Sequence, residues 1–190
     1  MKKIRSYSSF YILAFTQVAV STAILAFMEF TLNRLGFTAT GSWEFYAFHL
    51  LFLLPCVLLL TPAGFFSDKY PKEKVLFWTT FLSLPAVGLF CVGAYLSNLI
   101  MMLSAVGLFF VLQAFQSPAK NGYMKELVGV RSLVKGSGIL MIVTFSAVIF
   151  AGVALAFAVK AGVVLQALYA LGGLQLVGFF AALCLPHIGA

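Results

Sequence analysis

Two short runs hold most of the chemistry-bearing residues of this chain. The first is Gly64-Phe-Phe-Ser-Asp68-Lys69-Tyr-Pro71-Lys72-Glu73-Lys74. Its glycine is expected to let the end of its helix approach a neighbour, and a carboxylate follows one helical turn later among lysines. A carboxylate in such a place can be held by the positive end of a facing helix. The second run is Gln116-Ser117-Pro118-Ala-Lys120-Asn-Gly122-Tyr-Met-Lys125-Glu126, followed by Lys135. Its cations suit a lipid phosphate, each contributing about 1 kcal/mol near an anionic surface. No hydrolytic or redox constellation stands beside these runs. His49 and His187 are far apart, Cys56, Cys91 and Cys184 each stand alone among apolar residues, and GxSxG, HExxH and phosphate-loop patterns are missing. The chain therefore does not read as an enzyme, and neither a metal site nor a cofactor is expected.

The remaining polar residues are sparse. Gln17, Ser21, Thr22 and Glu29 fall in the first apolar stretch, Gln113 and Gln116 in a later one, and Gln166 and Gln175 in the last. Spacings of three or four put Gln17 with Ser21, and Gln113 with Gln116, on common helix faces. Amides in such positions join helices by hydrogen bonds of about 1 kcal/mol. Gln17, Ser21, Glu29 and Gln113 are also the groups available to line a pathway. Glu29, with Arg34 about one turn on, is read either as an interfacial ion pair or as a wall of an outer vestibule.

The elements that position these residues follow from composition. Of 190 residues, 63% are hydrophobic and 9% charged, with mean hydropathy +1.08. A soluble domain is about 25% charged, so a soluble globular fold is excluded. A bilayer-spanning helix takes roughly 20 apolar residues. The uncharged stretches give six such helices, at about 9–31, 44–66, 75–95, 99–117, 137–159 and 163–185. The split of the long third stretch falls at Tyr95-Leu-Ser-Asn98, and Pro118 is expected to end the fourth helix. Strands are not expected, because the apolar runs do not alternate. The amino terminus is read as an uncleaved first span, its apolar run being too long for a signal peptide.

Charge sets the expected orientation. Lys2, Lys3, Arg5, Lys69, Lys72, Lys74, Lys120, Lys125, Arg131 and Lys135 fall on one side of this map, and Arg34 and Lys160 on the other. That bias predicts cytoplasmic termini and accounts for the net charge of +7 without a nucleic-acid partner. The inner connections read as longer and charged, the outer ones as short, with no room for a soluble domain.

On these residues the chain resembles the major facilitator superfamily, whose signature loop runs G-x-x-x-D-[RK]-x-G-[RK]-[RK] between its second and third spans. Gly64, Asp68, Lys69 and Lys72 match; Pro71 replaces the second glycine and Glu73 interrupts the basic pair. The second run resembles the bacterial lysophospholipid transporter branch of that superfamily, which carries Ser-Pro-Ala-Lys-x-Gly, then Glu-Leu, then Leu-Val-Lys before a glycine. Ser117, Pro118, Lys120, Gly122, Glu126 and Lys135 fall in that register. Ile24-Leu25 and Met141 stand where members often carry an Asp-Asn pair and a carboxylate.

The resemblance implies an all-α integral membrane protein, a six-helix bundle like one half of a major facilitator fold. It implies a bacterial inner-membrane location. The implied activity is inward movement of lysophospholipid by alternating access, for re-acylation by an acyltransferase partner. Gly64, Asp68, Lys69, Lys72 and Lys74 would form a cytoplasmic gate. Ser117, Pro118, Lys120 and Gly122 would shape the turn between the fourth and fifth helices, with Glu126 and Lys135 beside it and Lys120 contacting the headgroup. The partners implied are membrane lipids and a second six-helix half, in the same longer protein, a separate chain or a homodimer. The tail Pro186–Ala190 has no basic stop, which fits a truncated unit. Two alternatives stay open: a transporter of another amphiphile or small solute, and an accessory subunit without transport of its own.

Overall fold

A computed structural model describes residues 2–37, 42–129 and 132–186, with side chains from residue 7. Seven α-helices follow one another: α1 Lys2–Arg34, α2 Trp43–Leu58, α3 Leu60–Lys69, α4 Lys72–Tyr95, α5 Leu99–Val128, α6 Leu133–Lys160 and α7 Val164–Leu183. No strand occurs among the described residues. In hydrocarbon every backbone N–H needs a partner within its own segment, which favours helices for chains this apolar. Five helices are long and apolar enough to cross a membrane, and six spans result if α2 and α3 count as one bent span. The chain has the make-up of a multi-pass membrane protein.

The boundaries depart from the sequence expectation in four places. The expected 44–66 helix is broken at Leu59, and its parts meet at 49°. Pro62 explains the break: it has no N–H for the Leu58 carbonyl four residues back, and its ring crowds that carbonyl. The ladder holds on either side, with Leu59 N donating to Pro55 O at 3.0 Å and Ala63 N to Leu59 O at 2.8 Å.

Pro118 does not end its helix; α5 runs on to Val128. An interior proline costs about 3 kcal/mol. Burial of Ala119, Tyr123, Met124 and Leu127 beyond it, in a cluster with Phe10, Leu13 and Leu76, offsets that cost. The third departure is at the amino terminus, where α1 starts at Lys2, so Lys2, Lys3 and Arg5 lie in its first turns. Finally, the connections expected to be inner and long are short, with α3 ending at Lys69 and α4 starting at Lys72, and α5 ending at Val128 and α6 starting at Leu133, because the charged runs are helical.

The turn at 95–98 forms as expected. Ser97 takes a positive φ of 53°, and the Asn98 side chain caps α5 by accepting from Met101 N at 3.2 Å.

The packing has a simple order. α1 lies against α6 and α7; α5 lies against α2, α3 and α4; α4 and α7 meet between them, and α1 touches α5 lightly. Exchanging the first three spans (α1, α2 with α3, α4) for the second three (α5, α6, α7) leaves these main contacts unchanged. A small α5–α6 contact departs from the exchange. Three spans is an odd number, so with α2 and α3 counted as one span the two units would cross a membrane in opposite directions. The core sits where α1, α4, α5 and α7 converge, with Ile24, Met28, Phe90, Met102, Val106 and Phe109 nearly or fully buried.

Candidate functional site

The four converging helices carry a buried polar network. Gln113 Nε2 of α5 donates to Gln17 Oε1 of α1 at 3.0 Å. Gln17 Nε2 donates to Gln175 Oε1 of α7 at 3.4 Å. Gln175 Nε2 in turn donates to the Thr80 carbonyl of α4 at 3.4 Å and, closely, to Ser83 Oγ. Gln116 Nε2 of α5 donates to Thr80 Oγ1 at 3.0 Å, and that hydroxyl donates to Leu76 O at 2.7 Å. Gln17, Gln116, Gln175, Thr80 and Ser83 are buried; Gln113 is half-buried at the margin.

Every one of these interhelical bonds joins the first three-span unit to the second. They also follow the exchange. Gln17 and Gln113 are 96 residues apart and Gln175 and Thr80 are 95 apart, so each pair joins exchange-related helices. The Gln17–Gln175 bond, from α1 to α7, has its counterpart in Gln116–Thr80, from α5 to α4. Gly178 lets α7 close onto this site: a Cβ there would lie 2.7 Å from Thr16 Oγ1 and 3.1 Å from Gln17 Nε2.

Of the expected pathway residues, Gln17 and Gln113 come together. Ser21 instead bonds locally, donating to Val18 O at 2.8 Å. Glu29 is exposed at the far end of α1 and forms no ion pair with Arg34 among the described residues. Gln166 lies outside the network, on the wall of an apolar groove of about 440 Å³ between α1, α6 and α7, among Ala19, Ala23, Ala154, Ala158 and Ala170. Ser83, Thr80 and Gly178 complete the network and do not stand out in the sequence. Their only signal there is a short polar residue or glycine in an apolar helix.

The two charged runs meet in space. Lys72 Nζ lies 2.6 Å from Glu126 Oε1, and the lysine stem crosses Gly122, where a Cβ would come within 2.7 Å of Lys72 Cε. Gly122 is therefore a slot for Lys72 within α5 rather than a turn residue. Lys120, one turn before Met124, is half-buried, while Ser117 is exposed and Pro118 half-buried on the same helix. Lys135 is exposed at the start of α6. Gly64 behaves differently from the expectation that it brings its helix against a neighbour: a Cβ there would meet nothing within 4 Å. Asp68, four residues on and so on the same face, is exposed, as are Lys69 and Lys74. Lys69 Nζ lies 5.7 Å from the Tyr70 ring centroid.

No family model, curated protein or solved structure matches the chain.

No group of three or more His, Cys, Asp or Glu able to hold a metal occurs among the described residues. His49 is exposed beside the Phe45 and Phe48 rings, its Nδ1 2.9 Å from Phe45 O. His187 and Arg131 lie outside the described residues. The arrangement can hold two helical units together through neutral amides. It leaves the charged face of α3, with Asp68 and Lys69, open.

Proposed function

We propose that this chain is one half of a membrane transporter of the major facilitator type, in which two such bundles rock about a central pathway. The observation that carries the reading is the exchange of its two three-span units, with amides joining exchange-related helices. Transporters of this kind are built from inverted repeats and bind substrate near the membrane midplane. The open face of Gly64 and Asp68 fits a latch whose counterpart lies on a second bundle. That bundle would belong to the same longer protein, a separate chain or a second copy.

The proposed substrate is a lysophospholipid, moved inward across a bacterial inner membrane and handed to an acyltransferase. The match at Ser117, Pro118, Lys120 and Gly122 supports that class, and the alanine-lined groove of about 440 Å³ offers an apolar surface for an acyl chain. In this reading the charged runs are cytoplasmic, Lys120 and Lys135 attract the phosphate, and the Lys72–Glu126 pair holds α4 to α5 at the gate.

The test is uptake of labelled lysophosphatidylethanolamine into proteoliposomes holding the chain together with its second half. Uptake that falls when Asp68→Asn and Lys120→Gln are introduced supports the reading. Transport of another amphiphile or small solute instead would favour the first alternative. No transport of any of these by a folded, assembled protein would favour the accessory subunit.

A further inference from the structure

The α5–α6 contact that departs from the exchange encloses a second site. Tyr7 and Tyr11 of α1, Val128 at the end of α5, and Ser132, Lys135 and Gly136 at the start of α6 surround a cavity of about 380 Å³. It lies at the end of the bundle that carries Lys125, Glu126 and Lys135. Gly136 makes the contact possible, since a Cβ there would lie 2.9 Å from Val128 Cγ2. The Tyr7 hydroxyl fixes one wall by donating to Leu127 O at 3.0 Å, which satisfies a terminal carbonyl of α5.

The lining has two characters. Lys135 supplies a cation, and Tyr11 and Ser132 supply hydroxyls. Ser132 caps no amide of α6, and neither Tyr11 nor Lys135 has a hydrogen-bond or ion-pair partner among the described residues. Among the described residues no carboxylate lines the cavity, and the first turn of α6 has no acidic residue. Val128 and Ile139 form an apolar wall.

We infer that this cavity binds the phosphate of an anionic phospholipid from the surrounding leaflet. Lys135 pairs with the phosphate, and the Tyr11 and Ser132 hydroxyls donate to its oxygens. The glycerol and first methylenes cover Val128 and Ile139. A free phosphate would leave the apolar wall bare, whereas a lipid covers both parts. The site is separate from the amide network; it shares Lys135 with the substrate route proposed above, but retention of a leaflet lipid here requires no transport.

Native mass spectrometry of the full chain, released from neutral micelles holding equal phosphatidylglycerol and phosphatidylcholine, tests the inference. Preferential retention of phosphatidylglycerol is expected. Lys135→Gln should lower that preference about fivefold, and Tyr11→Phe and Ser132→Ala about twofold or more. Lys160→Gln, at the other end of α6, should leave it unchanged. Lys135 and Ser132 are exposed, so their variants fold. The inference is overturned by an equal preference in parent and Lys135→Gln, or by an equal loss in Lys160→Gln. In a separate arm, phosphorus NMR follows inorganic phosphate alone. Broadening that depends on Lys135, without any phosphatidylglycerol preference, would assign the cavity to a soluble anion and overturn the lipid.

Discussion

Replacing Gln175 by Leu tests the amide network at its most connected residue. The side chain is fully buried and makes three interhelical contacts: it accepts from Gln17 and donates to the Thr80 carbonyl and to Ser83 Oγ. Interhelical hydrogen bonds in membranes average about 0.6 kcal/mol, so three give roughly 2 kcal/mol as an upper figure. Two of the three are 3.4 Å long and count for less. The Leu variant also strands the Gln17 Nε2 donor, whereas Ser83 keeps its bond to Thr80 O at 2.7 Å. The expected net loss is about 1–2 kcal/mol. Gln116→Leu removes one bond and leaves Thr80 Oγ1 donating to Leu76 O, so about 0.6 kcal/mol is expected there. Reversible unfolding in mixed micelles, read by tryptophan fluorescence, measures both. The refuting result is a Gln175→Leu variant no less stable than Gln116→Leu, because the ordering rests on the number of bonds each residue makes. A double-mutant cycle between Gln17 and Gln175 should return a coupling of about 0.6 kcal/mol.

Three further perturbations follow from the packing. Gly178→Ala forces a methyl against the Thr16 hydroxyl, itself held by its bond to Leu13 O at 3.0 Å; a loss of about 1–3 kcal/mol is expected by the same unfolding assay, while Gly88→Ala, which meets nothing within 4 Å, should not destabilise. Gly122→Ala displaces only the flexible Lys72 stem, so stability should change little. The coupling between Lys72 and Glu126, about 0.2–1 kcal/mol for a partly exposed pair, should vanish from a double-mutant cycle made in that background. Pro62→Ala restores a donor to the Leu58 carbonyl and should straighten the 49° break. Spin labels at Trp43 and Lys69 would then move apart by roughly 3 Å, at about 1.5 Å of rise per residue.

Helical class, and the presence of five or six helices of membrane-spanning length, were legible because a bilayer imposes one length and one kind of backbone bonding. The Tyr95–Asn98 turn was legible for a related reason: a positive φ and a helix cap leave a local polar mark. The break at Leu59 was not, although Pro62 stands in plain view, because a proline inside an apolar run either kinks or ends a helix and the outcome depends on what packs beyond it. The same ambiguity displaced the end of α5. There the burial of Tyr123, Met124 and Leu127 outweighed Pro118, and burial is a tertiary quantity. The glutamines were visible singly, and their role as helix glue was among the readings. Which amide would meet which was not, since Gln17 and Gln175 are 158 residues apart. The meeting of Lys72 with Glu126 was hidden likewise, because the glycine between them looked like a turn.

The choice of glutamine at the centre has a physical reason. A side chain near the line relating two exchanged units meets its own counterpart. It must therefore both donate and accept. Among neutral side chains long enough to reach across two helices, the glutamine amide does this. A pair of ionised carboxylates would repel, and their charge would be costly in an apolar interior. Gln113→Glu puts this to a test. In the parent, Gln113 donates to Gln17 Oε1. In the variant, a protonated carboxyl at this position can donate in the same way. An ionised one presents lone pairs to an acceptor and carries a poorly solvated charge. The variant should therefore be close to the parent in stability at about pH 4–5 and lose stability as pH rises towards about 8, while the parent, with no titrating group in the network, should show no such difference. Melting of both proteins in neutral detergent across that range measures it. A variant whose stability relative to the parent does not change with pH would mean that Gln113 does not donate into the bundle, and the pairing of the two units through their amides would have to be abandoned.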